Sequence, residues 1–218
     1  MIIGINGYSG SGKDTIGVII QYLNCINVGN LTIEDVVKDY KSHEWWLEDQ
    51  STWEVRKFAG KLKDIASHLT GIDIEKFEDQ EFKKTDLGPE WATHHMPLSV
   101  RKFLQRLGTD ALREGLHDNV WVNALMADYI SIDYNDDEQP RLPNWVITDT
   151  RFPNEAQAIK DKGGIIIRVE RPGVSPINNH PSEVGLDNWK FDYKVVNNSD
   201  IFDLKETVKE ILKHAKLL

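Results

Sequence analysis

The chain has 218 residues, 40% hydrophobic and 28% charged, with a formal net charge of −9 and a single cysteine, Cys25. These values allow one compact domain, with room for an inserted lobe, and exclude an internal disulfide. The acidic balance argues against a nucleic-acid polymer as partner, because such binding relies on Lys and Arg neutralising phosphates. No apolar run is long enough to span a membrane. The N-terminus lacks a basic segment leading into a long apolar one, so neither a signal peptide nor a membrane partner is expected, and the reducing cytoplasm is the expected location.

In chain order, residues 1–6 read as a short buried strand, then a glycine-rich loop, then a helix over about 13–23. Residues 30–134 read as a largely helical insertion, punctuated at Gly71, Leu87-Gly88-Pro89 and Met96-Pro97. Within it, "STWEVRKFAGKLKDIASHL" begins as a strand ending near Phe58-Ala59 and turns helical. Residues 133–144 are a polar, proline-bearing loop. "WVITD" (145–149) is a strand ending in a carboxylate, 153–162 a helix, and "IIIRVE" (165–170) a strand. The proline-rich stretch 171–183 is a loop and "YKVVNN" a last strand. Ile201, Leu204, Val208, Ile211, Leu212 and Ala215 recur at helical spacing. Strands alternating with helices at both ends predict an α/β fold: a parallel sheet flanked by helices, in a single domain over 1–218.

Gly7-Tyr8-Ser9-Gly10-Ser11-Gly12-Lys13 follows the first strand and opens the first helix. That is the G-x-x-x-x-G-K context of a P-loop, in which small residues let backbone N–H groups approach phosphate and the lysine reaches the terminal phosphates. The residue after the lysine is normally Ser or Thr; here it is Asp14, followed by Thr15. A carboxylate is a hard-oxygen ligand for Mg²⁺ or for its bound water, so Asp14 is the expected metal residue, and the hydroxyl and N–H of Thr15 suit phosphate. A plain glycine-rich turn would explain neither the lysine nor the flanking strand and helix.

The segment "SVRKFLQRLGTDALREGL" (99–116) places Val100, Phe103, Leu104, Leu107 and Ala111 on one side of a 100° wheel. Arg101, Lys102, Gln105, Gly108 and Thr109 fall together on another side. A solvated basic face is the plain reading of such a helix. Gly108 in mid-helix, and donors suited to a phosphate and a base edge, favour an anion site instead. Asp149 ends its strand where open α/β sheets place ligand residues, although aspartate also suits turns. His94, His95 and His180 have no spaced partners for a metal and read as loop residues, and Glu183 beside His180 as a residue that fixes the loop.

"GYSGSGKDT", "RKFLQRLGTDALRE", "NVWVNAL", "VITDTRFPNEAQAI" and "RPG…HPSE", in this order, resemble the deoxynucleoside monophosphate kinases of tailed bacteriophages. The resemblance implies a P-loop kinase that uses Mg²⁺ to move the ATP γ-phosphate onto a dNMP. Ser11, Lys13, Asp14 and Thr15 then match the triphosphate loop; Arg101, Lys102, Gln105, Gly108 and Thr109 match the acceptor helix, and Trp121 its following tryptophan, a candidate for stacking on a base. Asp149 matches the acidic strand end, Arg151 follows it, and Arg171 opens a lid-like loop over 171–187. Lys13, Asp14, Arg101, Asp149, Arg151 and Arg171 are the catalytic set this implies, while Phe58, Lys61 and Lys63 fall in the family's variable middle region. A homodimer is the expected assembly. Other readings stay open at this point: another small-molecule P-loop kinase, such as a phosphomevalonate or dephospho-coenzyme A kinase, or a nucleotide-binding regulatory switch.

Overall fold

The computed structural model describes residues 1–92, 94, 96–131, 141–177 and 180–218. His95 and most of the polar 133–144 loop lie outside the described residues. Along the chain run β1 (Ile2–Gly7), α1 (Lys13–Leu23), α2 (Ile33–Lys38), α3 (Tyr40–Gln50), β2 (Trp53–Arg56), α4 (Ala59–Thr70), α5 (Val100–Gln105) and α6 (Val120–Met126). They are followed by β3 (Asn144–Ile147), α7 (Pro153–Asp161), β4 (Ile165–Glu170), α8 (Pro181–Val184), β5 (Tyr193–Val196) and α9 (Ile201–His214). Two compact units result: 1–57 with 129–218, and 58–128. The helical insertion expected over 30–134 therefore starts later. Residues 30–57 supply α2, α3 and the edge strand β2 to the sheet unit, whose core takes Ile33 and Trp53.

The sheet unit is built on five parallel strands in the order β2-β3-β1-β4-β5. Its central strand reads "IIGING", apolar on consecutive positions rather than alternating, as a strand covered on both faces must be. Ile3 aligns with Val146 of β3 on one side and with Ile165 of β4 on the other. α1 and α9 cover one face: Ile16, Ile19 and Ile20 join Leu204, Val208 and Leu212 in one core with Ile3, Ile5 and Ile167. The Asp200 side chain caps α9 by accepting from the N–H groups of Phe202 and Asp203. Because β1 lies between two strands that come later in the chain, the crevices beyond its C-terminal end are where an open α/β sheet receives ligands. "WVITD" forms strand only through Ile147, and Asp149 stands in the turn that follows, between Thr148 and Thr150, whose N–H groups still donate to the Arg56 and Ile5 carbonyls.

The second unit closes over Ala66, Phe77, Leu98, Val100 and Phe103, with Trp91 packed edge-on to Phe103 at 5.2 Å. The helix expected over 99–116 changes pitch. Ser99 caps α5, and from Arg106 to Glu114 the backbone is a π-helix, in which N–H groups bond five residues back. Burial follows that pitch: Phe103, Gly108 and Arg113 are buried at intervals of five, while Ala111, assigned to the apolar stripe by a 100° wheel, is exposed.

Candidate active site

The phosphate loop is shaped by its glycines and tied down from outside. Gly12 precedes α1 at φ 97°, a left-handed conformation costly for any residue with a Cβ. A Cβ there would also stand 2.4 Å from Nδ2 of Asn197. That amide donates to the Ser11 carbonyl at 2.9 Å, while the Asn197 N–H donates to the Glu170 carbonyl at 2.7 Å. The residue just past β5 thus braces the loop against the sheet. Among the described residues no side chain caps α1, so its first N–H groups are left with the positive end of the helix dipole. Among the described residues the buried Ser11 hydroxyl has no hydrogen-bond partner, a state native structures seldom leave unexplained. An anion in the loop would supply what both features lack.

Lys13 lies over this loop with its Nζ 3.4 Å from the Tyr8 carbonyl. Burial holds its ammonium below the usual lysine range, against the pull of Asp14, Asp149 and Glu183, and Arg151 adds to the lowering. These groups therefore converge on one lysine, bringing the sequence-expected Asp14, Asp149 and Arg151 together. Asp14 accepts from the Thr148 hydroxyl at 3.0 Å and lies 3.6 Å from Lys57 Nζ. Desolvation alone would raise its pKa, but Lys57, Lys13 and the Thr148 bond outweigh it and keep the carboxyl below the usual aspartate range. Asp149 is buried. Arg151 reaches toward the shielded Glu183 carboxylate at 4.0 Å, and its N–H donates to Glu155, which also receives the N–H of Phe152 at the start of α7. Arg171 donates to the Gly10 carbonyl at 3.4 Å, so the start of the lid-like segment already touches the loop. A cavity of about 300 Å³ opens here, lined by Tyr8, Ser11, Arg168, Glu170, Arg171 and Val174. His180 caps the short α8, accepting from the Ser182 N–H, a local role that matches its reading as a loop residue. No group of three or more metal-ligating side chains gathers among the described residues.

The second expected site is distributed differently from the sequence expectation. Arg101 donates to Gln80 at 3.1 Å, Lys102 is exposed, and Gln105 is half-buried one turn on from Arg101. Gly108 and Trp121 belong to the interior instead. A Cβ on Gly108 would come within 2.8 Å of the Leu62 side chain, and the Trp121 indole N–H donates to the Gly108 carbonyl at 2.9 Å. At 5% exposure Trp121 has no open face for a base, which corrects its assignment as a stacking residue; close packing, not a ligand, requires the glycine. Thr109 is also buried. Lys61 pairs with Asp128 at 3.3 Å, the buried Lys63 pairs with Glu78, and Phe58 is buried.

Sequence reasoning missed Lys57, Thr148, Glu155, Arg168, Asp187 and Asn197. For Arg168 a signal existed, a charge within the otherwise apolar "IIIRV", whereas Asn197 carries no local signature at all.

A parallel sheet whose central strand leads through a glycine-rich, lysine-bearing loop into an uncapped helix defines a P-loop protein of kinase-like architecture. Residues 30–208 match the model of the family described as deoxynucleotide monophosphate kinase, and the chain belongs to that family. It is 32% identical to a putative deoxynucleotide monophosphate kinase of Acanthamoeba polyphaga mimivirus, over 72% of this chain and 81% of that protein. It is 26% identical to the deoxynucleoside-5'-monophosphate kinase of Escherichia phage T5, over 92% and 90% of the two chains. The deoxynucleotide monophosphate kinase of Escherichia phage RB69 is also 26% identical, over 69% of this chain and 58% of that protein.

Proposed function

We propose that this chain transfers the γ-phosphoryl group of ATP to a deoxynucleoside monophosphate, giving ADP and the dNDP. The observation that carries the donor assignment is the buried Ser11 hydroxyl, without a hydrogen-bond partner among the described residues, within a loop that leads into a helix no side chain among them caps. In this reading the backbone of Gly7, Gly10, Gly12 and Thr15 cradles the ATP phosphates, and Lys13 neutralises charge on the group in transfer. Asp14 is the residue that would hold Mg²⁺ or its waters, with Thr15 on a phosphate, and the ion would supply charge neutralisation for the transfer.

Arg151 and Arg171 add positive charge where the transferring group accumulates negative charge, and Asp149 orients the acceptor or a metal-bound water. No separate general base is needed, because the acceptor phosphate is already a nucleophile at neutral pH. The acceptor is assigned to the second unit, on the Arg101, Lys102 and Gln105 face of α5, with Arg101 and Lys102 on its phosphate. The lid-like segment 171–187 excludes water, which would otherwise compete for the phosphoryl group.

The decisive experiment is a coupled assay of ADP formation from MgATP against a panel of deoxy- and ribonucleoside monophosphates, with Lys13→Ala beside the wild type. The expected result is turnover confined to nucleoside monophosphates and lost in the folded Lys13→Ala variant. Turnover with phosphomevalonate or dephospho-coenzyme A and none with dNMPs would assign another acceptor. Acceptor-independent ATP hydrolysis would point to a switch.

A further inference from the structure

Arg168 is a misfit in its strand. Its β4 neighbours Ile166, Ile167 and Val169 are fully buried and apolar, as a central parallel strand requires, yet position 168 carries an arginine that is only 7% exposed. Buried ion pairs add little net stability, and an apolar residue of similar volume serves as well or better, so this arginine calls for another reason.

Its contacts supply one. Nη1 donates to the Asn6 side-chain oxygen, the last polar group of β1 before the loop. Nη2 donates to Asp187 Oδ1 at 3.3 Å, and the guanidinium lies 4.5 Å over the ring of Tyr8, the second residue of the loop. The Tyr8 hydroxyl donates to that same Asp187 oxygen at 2.9 Å. Asn6 in turn donates through Nδ2 to the Thr150 carbonyl at 2.8 Å, in the turn that carries Asp149 and Arg151. Asp187 ends the lid-like segment that Arg171 begins. A single buried guanidinium is thus bonded to the strand before the phosphate loop, stacked on the loop, and bonded to the far end of the lid.

We propose that Arg168 is a positioning residue for the donor nucleotide, setting the shape of the phosphate loop through Tyr8 and anchoring the end of the lid through Asp187. This rests on the reading that ATP binds at residues 7–15. Arginine suits the task because its planar fork makes two directed bonds and stacks on an aromatic ring at once, which a lysine cannot do.

The test measures ATP binding directly, with Mg²⁺ and without any acceptor, by titration calorimetry on the full chain. Arg168→Met leaves the buried Asn6 oxygen and the Asp187 carboxylate without this partner, so it should lower Tm while still folding, and it should weaken ATP binding by about tenfold, the loss of one charge-assisted bond's worth of ordering. Arg168→Lys should fail to restore affinity. Tyr8→Phe and Asp187→Asn should each weaken binding, and the double variant should be little worse than the poorer single, because both break one junction. ATP affinity within twofold of wild type in Arg168→Met would overturn the proposal. Should that variant not fold, the Tyr8 and Asp187 pair decides: strictly additive effects, or none, overturn it. A wild type that binds no ATP would refute the donor-site reading itself, whereas one that binds ATP but phosphorylates no dNMP would refute only the acceptor assignment.

Discussion

Gly12→Ala probes the loop's geometry most sharply, because two separable penalties meet at one atom. The left-handed φ of 97° would cost a β-carbon-bearing residue about 1–2 kcal/mol. The new methyl would also stand 2.4 Å from Asn197 Nδ2, nearer than real Cβ contacts allow, so the amide must move and give up its bond to the Ser11 carbonyl. A hydrogen bond of that kind contributes about 0.5–1.5 kcal/mol net. The sum, about 1.5–3.5 kcal/mol, should lower Tm by roughly 3–14 °C in a chain of this size.

Gly163→Ala separates the two terms, since Gly163 has a similar φ of 75° with nothing within 4 Å of its would-be Cβ; it should show the conformational penalty alone. Asn197→Ala removes the obstacle and the bond together, so Gly12→Ala in that background should cost less than in the wild type. The assay is thermal and urea unfolding of the four chains of the cycle, with Gly163→Ala as reference. Equal losses for Gly12→Ala and Gly163→Ala, or additivity of the Gly12 and Asn197 effects, would refute the claim that Asn197 braces the loop.

Asp14→Asn should raise the Mg²⁺ concentration needed for half-maximal turnover, and an unchanged Mg²⁺ titration would remove Asp14 from the metal's surroundings. Because the Asp14 carboxyl titrates below the ordinary aspartate range, its ionised form should persist as pH falls. Any stability it contributes is present above the unfolded-state pKa and lost only as pH drops through the depressed folded value, so the Mg²⁺ requirement attributable to this residue should be flat from neutral pH down to about 5. Arg101→Ala and Gln105→Ala should raise the KM for dNMP, lower kcat, or both, by roughly ten- to 150-fold for a lost charge-assisted bond at Arg101 and less at Gln105, with ATP affinity unchanged. Loss of ATP affinity with intact dNMP kinetics would reverse the assignment of the two sites.

What was legible in the sequence was what depends on neighbours in the chain. The limits of β4, the start and end of α1, and the turn from β2 into α4 follow from apolar runs, glycines and periodicity, and each emerged within a residue or two. The P-loop was legible for the same reason: its chemistry lies in one unbroken stretch. The wheel drawn for 99–116 misplaced Ala111 because it assumed 100° per residue, and a π-helix advances less. That pitch turns Gly108 inward against Leu62, with its carbonyl accepting from the Trp121 indole N–H, a packing role that the wheel could not show.

The bonds that shape the site belong to a different class. Asn197 reaches a carbonyl 186 positions earlier, Arg168 an amide 162 positions earlier and Tyr8 a carboxylate 179 positions later. None has a local pattern, because a parallel sheet brings the C-terminal ends of distant strands to one edge, and residues just past those ends meet only once the sheet exists. Arg168 announced itself as a charge in an apolar strand, yet its meaning lay entirely in what the sheet order places beside it. In this fold the phosphate-binding chemistry is written contiguously, while the braces that give the loop its shape are written at the ends of β4 and β5. A search for further determinants of nucleotide binding therefore belongs at those strand ends rather than in the loop.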